Sequence, residues 1–516
     1  MSDTVHSSLK TAAKGTALIL FGTTISNLLW FAAKFFIIKH STTEQLGIYS
    51  LAIGVVNLCA LLASLGVHEG ATKYVSSLLG EGKKTAAVAI SKSSIQIGLL
   101  SGSVACAVLF LLSGILSRHF FYKPEIETPL KILSLYIPFN VLSLILVWIL
   151  RGYGFIQARV YYMDIGIPFF FLLFLFASFN LAPSFTNVFY AYAFSSIAVL
   201  VSVGIYGYSK IKLNPLAVKG AAQHAELMKF SLSIIFLSVM LVVFAWTDTF
   251  ILGRYATSSD VGIYNIAMLL ATLLTFPFMA AGFVFMPIAG EMLAKEQQTE
   301  LNRTYQILTK WVFSSTLPVF FILFLFPEMV ISTLFGQRFL GAVMPLRILS
   351  SGFMIQTLLG PSVSLLMITG LSREIRNISV FGAFLNIVLN YLLVKRLGLG
   401  LAGAAVATML SYSSISCINF TILYKKRGIH PVTPQYIKPI FGSALVGGIC
   451  YGIAKMLPLY FWMLPLYLFF FIGGYLLYLI ATRSIDSEDI YLIEGITKRL
   501  GIEIKGINKI IARLDH

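Results

Sequence analysis

The sequence has few charged residues and no long polar segment. Only 11% of its 516 residues are charged and 58% are hydrophobic, whereas about a quarter of a soluble domain is charged. The links between its hydrophobic stretches reach at most about 20 residues, which is too short for a soluble catalytic domain. The scarcity of charge therefore excludes an ordinary soluble protein. It also places the activity within or across a membrane.

Motifs for cofactors and metals are missing as well. The four cysteines form no C-x-x-C pair and fall inside hydrophobic stretches, where they suit packing: Cys59, Cys106, Cys417 and Cys450. Residues 80–85 (GEGKKT) resemble part of a phosphate loop, but the pattern GxxxxGK(S/T) needs a serine or threonine at the position of Lys84. We therefore expect no cofactor, no metal site and no enzyme activity.

About fourteen hydrophobic stretches run along the chain, each close to the roughly 20 residues that cross a bilayer as a helix. Strands of a membrane barrel would be shorter, with alternating polarity. We therefore predict an all-α integral membrane protein. The predicted spans are 16–37, 45–66, 92–116, 129–150, 160–181, 186–207, 229–252, 262–287, 308–331, 346–369, 376–395, 401–424, 437–456 and 462–481.

The net charge of +17 does not indicate nucleic-acid binding, because the basic residues do not cluster on one domain. They follow alternate links, and with the N-terminus in the cytoplasm roughly 27 of the 38 Lys and Arg residues fall on that side. We predict a multi-pass protein of the cell (plasma or inner) membrane, with both termini cytoplasmic and membrane lipids as partners. Helix ends on the predicted cytoplasmic side are called inner, and the opposite ends outer.

An internal repeat indicates how the spans are organised. Residues 42–52 (TTEQLGIYSLA) open span 2, and residues 257–267 (TSSDVGIYNIA) open span 8. Six spans separate the copies, so both have the same orientation, as in transporters built from parallel repeats. We predict two parallel six-helix lobes, 1–215 and 216–430, around a central cleft. Two extra spans (431–482) and a cytoplasmic amphipathic tail (483–516) would follow.

Two further segments carry a resemblance to a known family. Residues 244–253 (FAWTDTFILG), followed by Gly262, and residues 386–390 (NIVLN), followed by 398–405 (GLGLAGAA), resemble spans 7–8 and 11–12 of polysaccharide exporters. These belong to the O-antigen flippase-like branch of the multidrug/oligosaccharidyl-lipid/polysaccharide (MOP) exporter superfamily. The resemblance implies a flippase that carries a polyprenyl-linked oligosaccharide or polysaccharide precursor from the cytoplasmic to the outer leaflet.

Polar residues inside spans are the candidates for lining the cleft, since they are costly in lipid. In span 1, Asn27, Trp30 and Lys34 share one helical face. Lys34 is also placed where its ammonium could instead reach the outer headgroups. Asp248 lies at the matching depth of span 7, and we hypothesise that it approaches Lys34 when the outer mouth is shut. Two unrelated interfacial residues are the alternative.

Span 2 and span 8 add further cleft candidates. Asn57, Ser64 and His68 form a second polar stripe that suits sugar hydroxyls, although hydrogen bonds between helices explain it equally well. Thr272 precedes Pro277, which should kink span 8. Such a kink can serve as a hinge, although many kinks are static.

Charged residues at the inner ends form a second group of candidates. Lys73, Arg151 and Arg159 surround the predicted inner mouth and could gather a diphosphate headgroup, although each could instead anchor the protein to the inner leaflet. Asp164 lies just inside span 5. It could pair with Arg159 or Arg151, or it could be a protonatable coupling site.

Three classes of function remain to be compared. Flippase activity would require a lipid-linked glycan as substrate, with glycan-assembly enzymes and a coupling ion (H⁺ or Na⁺) as possible partners. A small-molecule or multidrug ion antiporter of the same superfamily is the alternative. Exporters of cations favour buried carboxylates, however, whereas the deepest charge of span 1 is the cation Lys34. A membrane-embedded polymerase or ligase would need a large outer loop that carries its chemistry, and the sequence offers none.

Overall fold

The computed structural model describes residues 2–211, 224–431, 437–456 and 463–482. No strand occurs in these ranges, so the all-α prediction is confirmed. Nineteen α-helices of the described chain are joined by short 3₁₀ and π turns. They are α1 (Ser2–Lys39), α2 (Thr43–Ser64), α3 (Val67–Gly80), α4 (Lys84–Ile115), α5 (Glu127–Ser134), α6 (Tyr136–Gly152), α7 (Ile167–Leu181), α8 (Asn187–Ile211), α9 (His224–Tyr255), α10 (Ser258–Ala271), α11 (Phe276–Ala294), α12 (Gln298–Leu325), α13 (Pro327–Leu334), α14 (Val343–Leu358), α15 (Ser362–Ile368), α16 (Ser372–Asn390), α17 (Gly400–Arg427), α18 (Ile437–Met456) and α19 (Met463–Ala481).

Within the described residues, ten helical segments are long and apolar enough to cross a membrane. An eleventh is added if the bent pair 124–134 and 136–152 counts as one span. The helices at 438–453 and 469–479 are apolar but shorter. A polytopic membrane protein is thus confirmed, whereas the count of fourteen spans is not. The predicted tail, 483–516, lies outside the described residues.

The chain forms two compact units, Met1–Gly262 and Ile263–His516. Their division falls inside α10, later than the lobe boundary predicted at 215/216. The reason is that α9 packs along α2 and α3 and so belongs to unit 1 together with the first residues of α10. The two-lobe organisation inferred from the repeat stays a prediction.

The two C-terminal helices of the described chain are attached to unit 2 by a hydrophobic cluster. Phe313 and Leu317 of α12 pack with Cys450 of α18 and with Phe471 and Tyr475 of α19. Burying side chains of this size stabilises such a contact where the residues leave lipid for close packing. The predicted extra spans 13 and 14 therefore correspond to helices that pack against α12.

Candidate functional site

Helix α2 continues into α3 through an interruption at Leu65 and Gly66, at the inner end of unit 1. Leu65 and Gly66 both adopt left-handed backbone conformations, with φ of 49° and 69°. A Cβ atom on Gly66 would lie 2.4 Å from the carbonyl oxygen of Ser231 in α9, so only glycine fits this approach. Helix α3 packs against both α6 and α9.

Trp148, in the last turns of α6, lies at the centre of this inner end. The Thr72 hydroxyl of α3 donates a hydrogen bond of 2.7 Å to the Trp148 carbonyl oxygen. Gly152 lets α3 approach closely, because a Cβ atom there would lie 3.0 Å from Val75. The His68 ring meets the indole edge-on at 5.3 Å, and its Nδ1 has no hydrogen-bond partner among the described residues. Helices α3 and α6 therefore fix the indole from two sides.

Two arginines are held against the same indole. The guanidinium carbons of Arg151 and Arg159 lie 4.8 Å and 5.8 Å from the ring centre. Arg159 also pairs with Asp164, with 3.9 Å between Nε and Oδ1. Close by on α3, the Lys73 ammonium lies 3.8 Å from the ring centre of Phe230. We call Lys73, Arg151 and Arg159 the inner cation cluster.

The inner cation cluster is suited to binding an anion. All three of its residues are exposed, and Asp164 is half-buried. Guanidinium groups present planar forks of donors that match phosphate oxygens, and each indole contact restrains a long side chain before a ligand arrives. Of the four inner-mouth residues that the sequence singled out, the structure thus joins Arg151, Arg159 and Asp164 through shared contacts, while Lys73 follows Thr72 on the neighbouring helix α3. It adds His68, which the sequence had assigned to the cleft.

On the face of α1 predicted to line the cleft, one side chain packs against other helices and others are partly or fully exposed. Trp30 packs on Phe171 of α7 and Tyr192 of α8, with ring centres 5.8 Å and 6.1 Å away. Asn27 is half-buried and Lys34 is exposed. Trp30 therefore anchors α1 to its neighbours, while Lys34, one turn later, stays accessible.

Lys34 and Asp248 are not an ion pair in this structure, since no contact joins them among the described residues. Asp248 is 2% exposed within α9. The cause is helix placement, because α1 packs on α7 and residues 159–166 whereas α9 packs on α2 and α3. The structure therefore places the two charges on helices with different neighbours.

The remaining cleft candidates are used mostly within their own helices. Ser64 is fully buried, and its hydroxyl donates to the Leu61 carbonyl oxygen at 2.7 Å. Thr272 donates to the Leu269 carbonyl oxygen at 2.9 Å in unit 2. Asn57 is half-buried. Ser64 therefore caps its own backbone and is not accessible to a substrate in this structure.

At the outer end of unit 1, the two copies of the repeat meet. Each begins with the same capping arrangement. The Gln45 amide N–H donates to the Thr42 hydroxyl at 3.1 Å, and the Asp260 amide N–H donates to the Thr257 hydroxyl at 3.1 Å. A side-chain acceptor in this position satisfies an orphan N–H of the first helical turn. The repeated sequence thus encodes two identical helix starts.

These helix starts cross at a pair of glycines. A Cβ atom on Gly47 would lie 1.7 Å from the Ser258 carbonyl oxygen, and one on Gly262 would lie 2.0 Å from the Thr43 carbonyl oxygen. The Ser259 hydroxyl also donates to the Thr43 hydroxyl oxygen at 2.8 Å. We call the contact of residues 42–47 with residues 257–262 the glycine crossing. It leaves no room for a side chain between the backbones.

A buried lysine, which the sequence analysis missed, holds the adjacent end of α9. Lys123 is 9% exposed, and its ammonium donates to the carbonyl oxygens of Gly253 and Ala256. These carbonyls belong to the helix C-terminus, where a cation is favoured. The neighbouring Tyr122 ring lies 4.1 Å from the Arg254 guanidinium carbon. Residues 122 and 123 therefore tie the loop after α4 to α9.

The chain is similar to a known protein family and to two curated proteins. A family model described as "Polysaccharide biosynthesis protein" matches residues 41–344. The probable low-salt glycan biosynthesis flippase Agl15 of Haloferax volcanii is 28% identical over 43% of this chain and 47% of its own length. An uncharacterized membrane protein of Methanocaldococcus jannaschii is 26% identical over 42% of this chain and 44% of its own length. The chain thus spans about half the length of the curated relatives it matches.

Solved structures show the same fold at low sequence identity. An inward-facing MATE family multidrug resistance transporter of the MOP superfamily has a TM-score of 0.66 at 16% identity, covering 78% of this chain and 94% of its own. The lipid II flippase MurJ, in an inward closed conformation, has a TM-score of 0.71 at 14% identity, covering 90% and 99%. These matches concern architecture alone.

Proposed function

The chain belongs to the family of polysaccharide biosynthesis proteins, and on that premise we propose that it is a flippase. Its substrate is a polyprenyl-linked oligosaccharide or polysaccharide precursor, which it moves from the cytoplasmic to the outer leaflet by alternating access. The flippase named among its relatives supports this proposal. So does the MOP superfamily fold that it shares with a lipid II flippase. The named relatives and structural neighbours are flippases and transporters, apart from one uncharacterized membrane protein.

The inner cation cluster is the observation that carries the proposal. Polyprenyl carriers hold their glycan through a phosphate or diphosphate, which is the most charged part of the substrate. The exposed guanidinium groups of Arg151 and Arg159 lie against one ring at the helix ends predicted to face the cytoplasm. Bidentate contacts with phosphate oxygens are the interactions that such groups make best. In the proposed mechanism the cluster receives the headgroup before the lobes move.

Lys34 and the residues before it provide a second contact along the path. Lys34 is an exposed residue one turn beyond Trp30, whose ring fixes α1 against α7 and α8. In our proposal the headgroup passes from the inner cation cluster to Lys34 while the prenyl tail stays in lipid. Asn27 and Asn57 then supply amide groups to the sugars.

The proposal also includes location and energy supply. We place the protein in the cell membrane with both termini in the cytoplasm, because this arrangement satisfies the distribution of Lys and Arg. Glycan-assembly enzymes on either side would supply and consume the substrate. A gradient of H⁺ or Na⁺, or consumption of the product outside, would give the transport its direction.

The experiment measures how much lipid-linked glycan becomes accessible to a membrane-impermeant glycosidase on the outer face. Cells lacking the gene are complemented with wild type or with Arg151→Gln/Arg159→Gln. A hydrogen bond to a charged group contributes about 1.5–3 kcal/mol, so the double variant should lose about tenfold or more of the transport rate. Lys84→Gln removes an exposed inner-end cation outside the cluster and should leave transport unchanged.

Two outcomes would contradict the proposal. In the first, the gene deletion leaves the outer accessibility of the glycan unchanged. In the second, the deletion changes drug efflux without affecting the glycan, which would favour the multidrug antiporter. Expression and membrane insertion of each variant are compared by immunoblotting of membrane fractions.

A further inference from the structure

Trp148 is the side chain that Arg151, Arg159 and His68 all contact. Arg151 reaches its ring from the same helix, and Arg159 reaches it from the segment that follows the Gly154 turn. His68 meets it from α3. Neither composition nor charge drew attention to it, because a tryptophan at a helix end is ordinary in a membrane protein.

Two guanidinium groups at one place repel each other, and something must hold them there before an anion binds. The indole does so because its ring carries a negative quadrupole that attracts cations. Asp164 neutralises only Arg159, across 3.9 Å. The hydrogen bond from the Thr72 hydroxyl to the Trp148 carbonyl oxygen and the close packing at Gly152 hold α6 against α3, and the His68 ring lies against the edge of the indole.

We propose that Trp148 is a positioning residue of the headgroup site, holding Arg151 and Arg159 together so that they bind the two phosphates of one diphosphate. The His68 ring packs on the same indole, and its buried Nδ1 has no hydrogen-bond partner among the described residues. The inference rests on the proposed function, because it concerns how the proposed substrate is received. It goes further in assigning an uncharged residue to the recognition of charge.

The first test measures binding to the purified full-length protein by calorimetry. The probes are inorganic pyrophosphate and farnesyl diphosphate, with sulfate as the control anion. Trp148→Leu keeps an apolar side chain but removes the ring, and Trp148→Phe keeps a smaller ring. We expect diphosphate affinity to fall about tenfold with leucine and about threefold with phenylalanine, since the strength of a cation–π contact follows the ring.

Phe155→Leu is the matched control. Phe155 packs against the same hydrophobic cluster as Trp148 and contacts the Tyr206 ring. It contacts no cation among the described residues. Its replacement should leave diphosphate binding unchanged. Thermal unfolding of every variant shows whether it is folded.

A second measurement uses the fluorescence of Trp148 itself. Diphosphate that draws the guanidinium groups away from the ring should change the indole emission of the wild type. Trp148→Phe retains the other four tryptophans of the chain and should not show this change. Farnesyl diphosphate binding more tightly than pyrophosphate would indicate a lipid-linked ligand, whereas equal affinity would indicate a site for free diphosphate.

The outcomes separate this inference from the proposed function. If Trp148→Leu binds diphosphate as wild type does, or if Phe155→Leu weakens binding equally, Trp148 has only a packing role and the inference is overturned. Glycan transport by the wild type would be unaffected by either result. If the wild type moves no glycan lipid yet shows the predicted order Trp, Phe, Leu, the positioning role stands and the proposed function fails.

Discussion

The two ends of unit 1 differ in the groups that form their contacts, which are side chains at the inner end and mainly backbone at the outer end. At the inner end, long cationic side chains rest on an indole and remain exposed. At the outer end, backbone meets backbone at the glycine crossing, and the ammonium of Lys123 is buried against carbonyl oxygens. The inner end therefore presents exposed cationic side chains, while the outer end of unit 1 is held by direct packing of its own helices.

The difference also shows how each end can change. The side chains of the inner end can reorient without moving a helix. The glycine crossing can open only if α2 and the start of α10 separate, because packed backbones do not deform continuously. A transporter that receives its substrate on one side and releases it on the other needs such an asymmetry.

The largest effect is expected from adding a methyl group to the glycine crossing. The Cβ atom of Gly47→Ala would lie 1.7 Å from the Ser258 carbonyl oxygen, so α2 and α10 must separate at a cost of about 1–3 kcal/mol. We expect the outer end to stay open and glycan transport to fall about tenfold or more. Transport is measured with the glycosidase assay described above.

Opening itself is measured with a reporter cysteine at Ser258, which is 7% exposed, in a chain without its four native cysteines. Gly47→Ala should increase labelling of this cysteine by an impermeant maleimide from outside. Gly204→Ala adds the same methyl group in α8, where nothing lies within 4 Å, and is the matched control. Equal transport by the two alanine variants would refute closure at the glycine crossing.

Much of the fold could be predicted from the sequence, because bilayer thickness imposes long apolar helices. The count of fourteen spans is not confirmed, and a bend that hydropathy does not show accounts for one of the differences. The bend between α5 and α6 at Leu135 breaks one such stretch. The repeat copies at residues 42 and 257 were recognised. That they touch could not be known, because a one-dimensional pattern contains no distances.

The candidate site was predictable in its charges but not in its organisation. Lys73, Arg151 and Arg159 stand out because ions at span ends are few, whereas Trp148 looks like any interfacial aromatic. Its position three residues before Arg151, on the same helical face, was the available signal. Lys123 was missed because its partners are main-chain carbonyls, which have no identity in the sequence.

A smaller effect is expected from removing the buried cation of the outer end. Lys123→Met fills a similar space but leaves the α9 carbonyls of Gly253 and Ala256 without their donor, at a cost of about 1–3 kcal/mol in unfolding free energy. Lys131→Met, whose exposed ammonium pairs with Glu127, is the control and should change stability little. Thermal unfolding in detergent measures both. Equal melting temperatures would show that Lys123 does not hold α9.

The contribution of Lys123 should also depend on pH. Burial lowers its pKa below the ordinary 10.5, an effect that Glu125 and Asp260 partly offset and Arg254 increases. The unfolded chain therefore binds more protons between the folded pKa and 10.5, so stability rises with pH in that window. The stability difference between wild type and Lys123→Met should grow as pH approaches 10.5. A difference that shrinks there would contradict a burial-lowered pKa.

The smallest effect is expected from Asp164→Asn at the inner end. Asp164 lies 3.9 Å from Arg159, and such partly exposed pairs contribute at most about 1 kcal/mol. Removing its charge leaves Arg159 more available, so pyrophosphate affinity should rise about two- to threefold at low salt and return towards wild type at high salt, where screening is strong. Calorimetry at two salt concentrations checks this. A fall in affinity would mean that Asp164 orients Arg159, and that the inner end depends on an ion pair as well as on the indole.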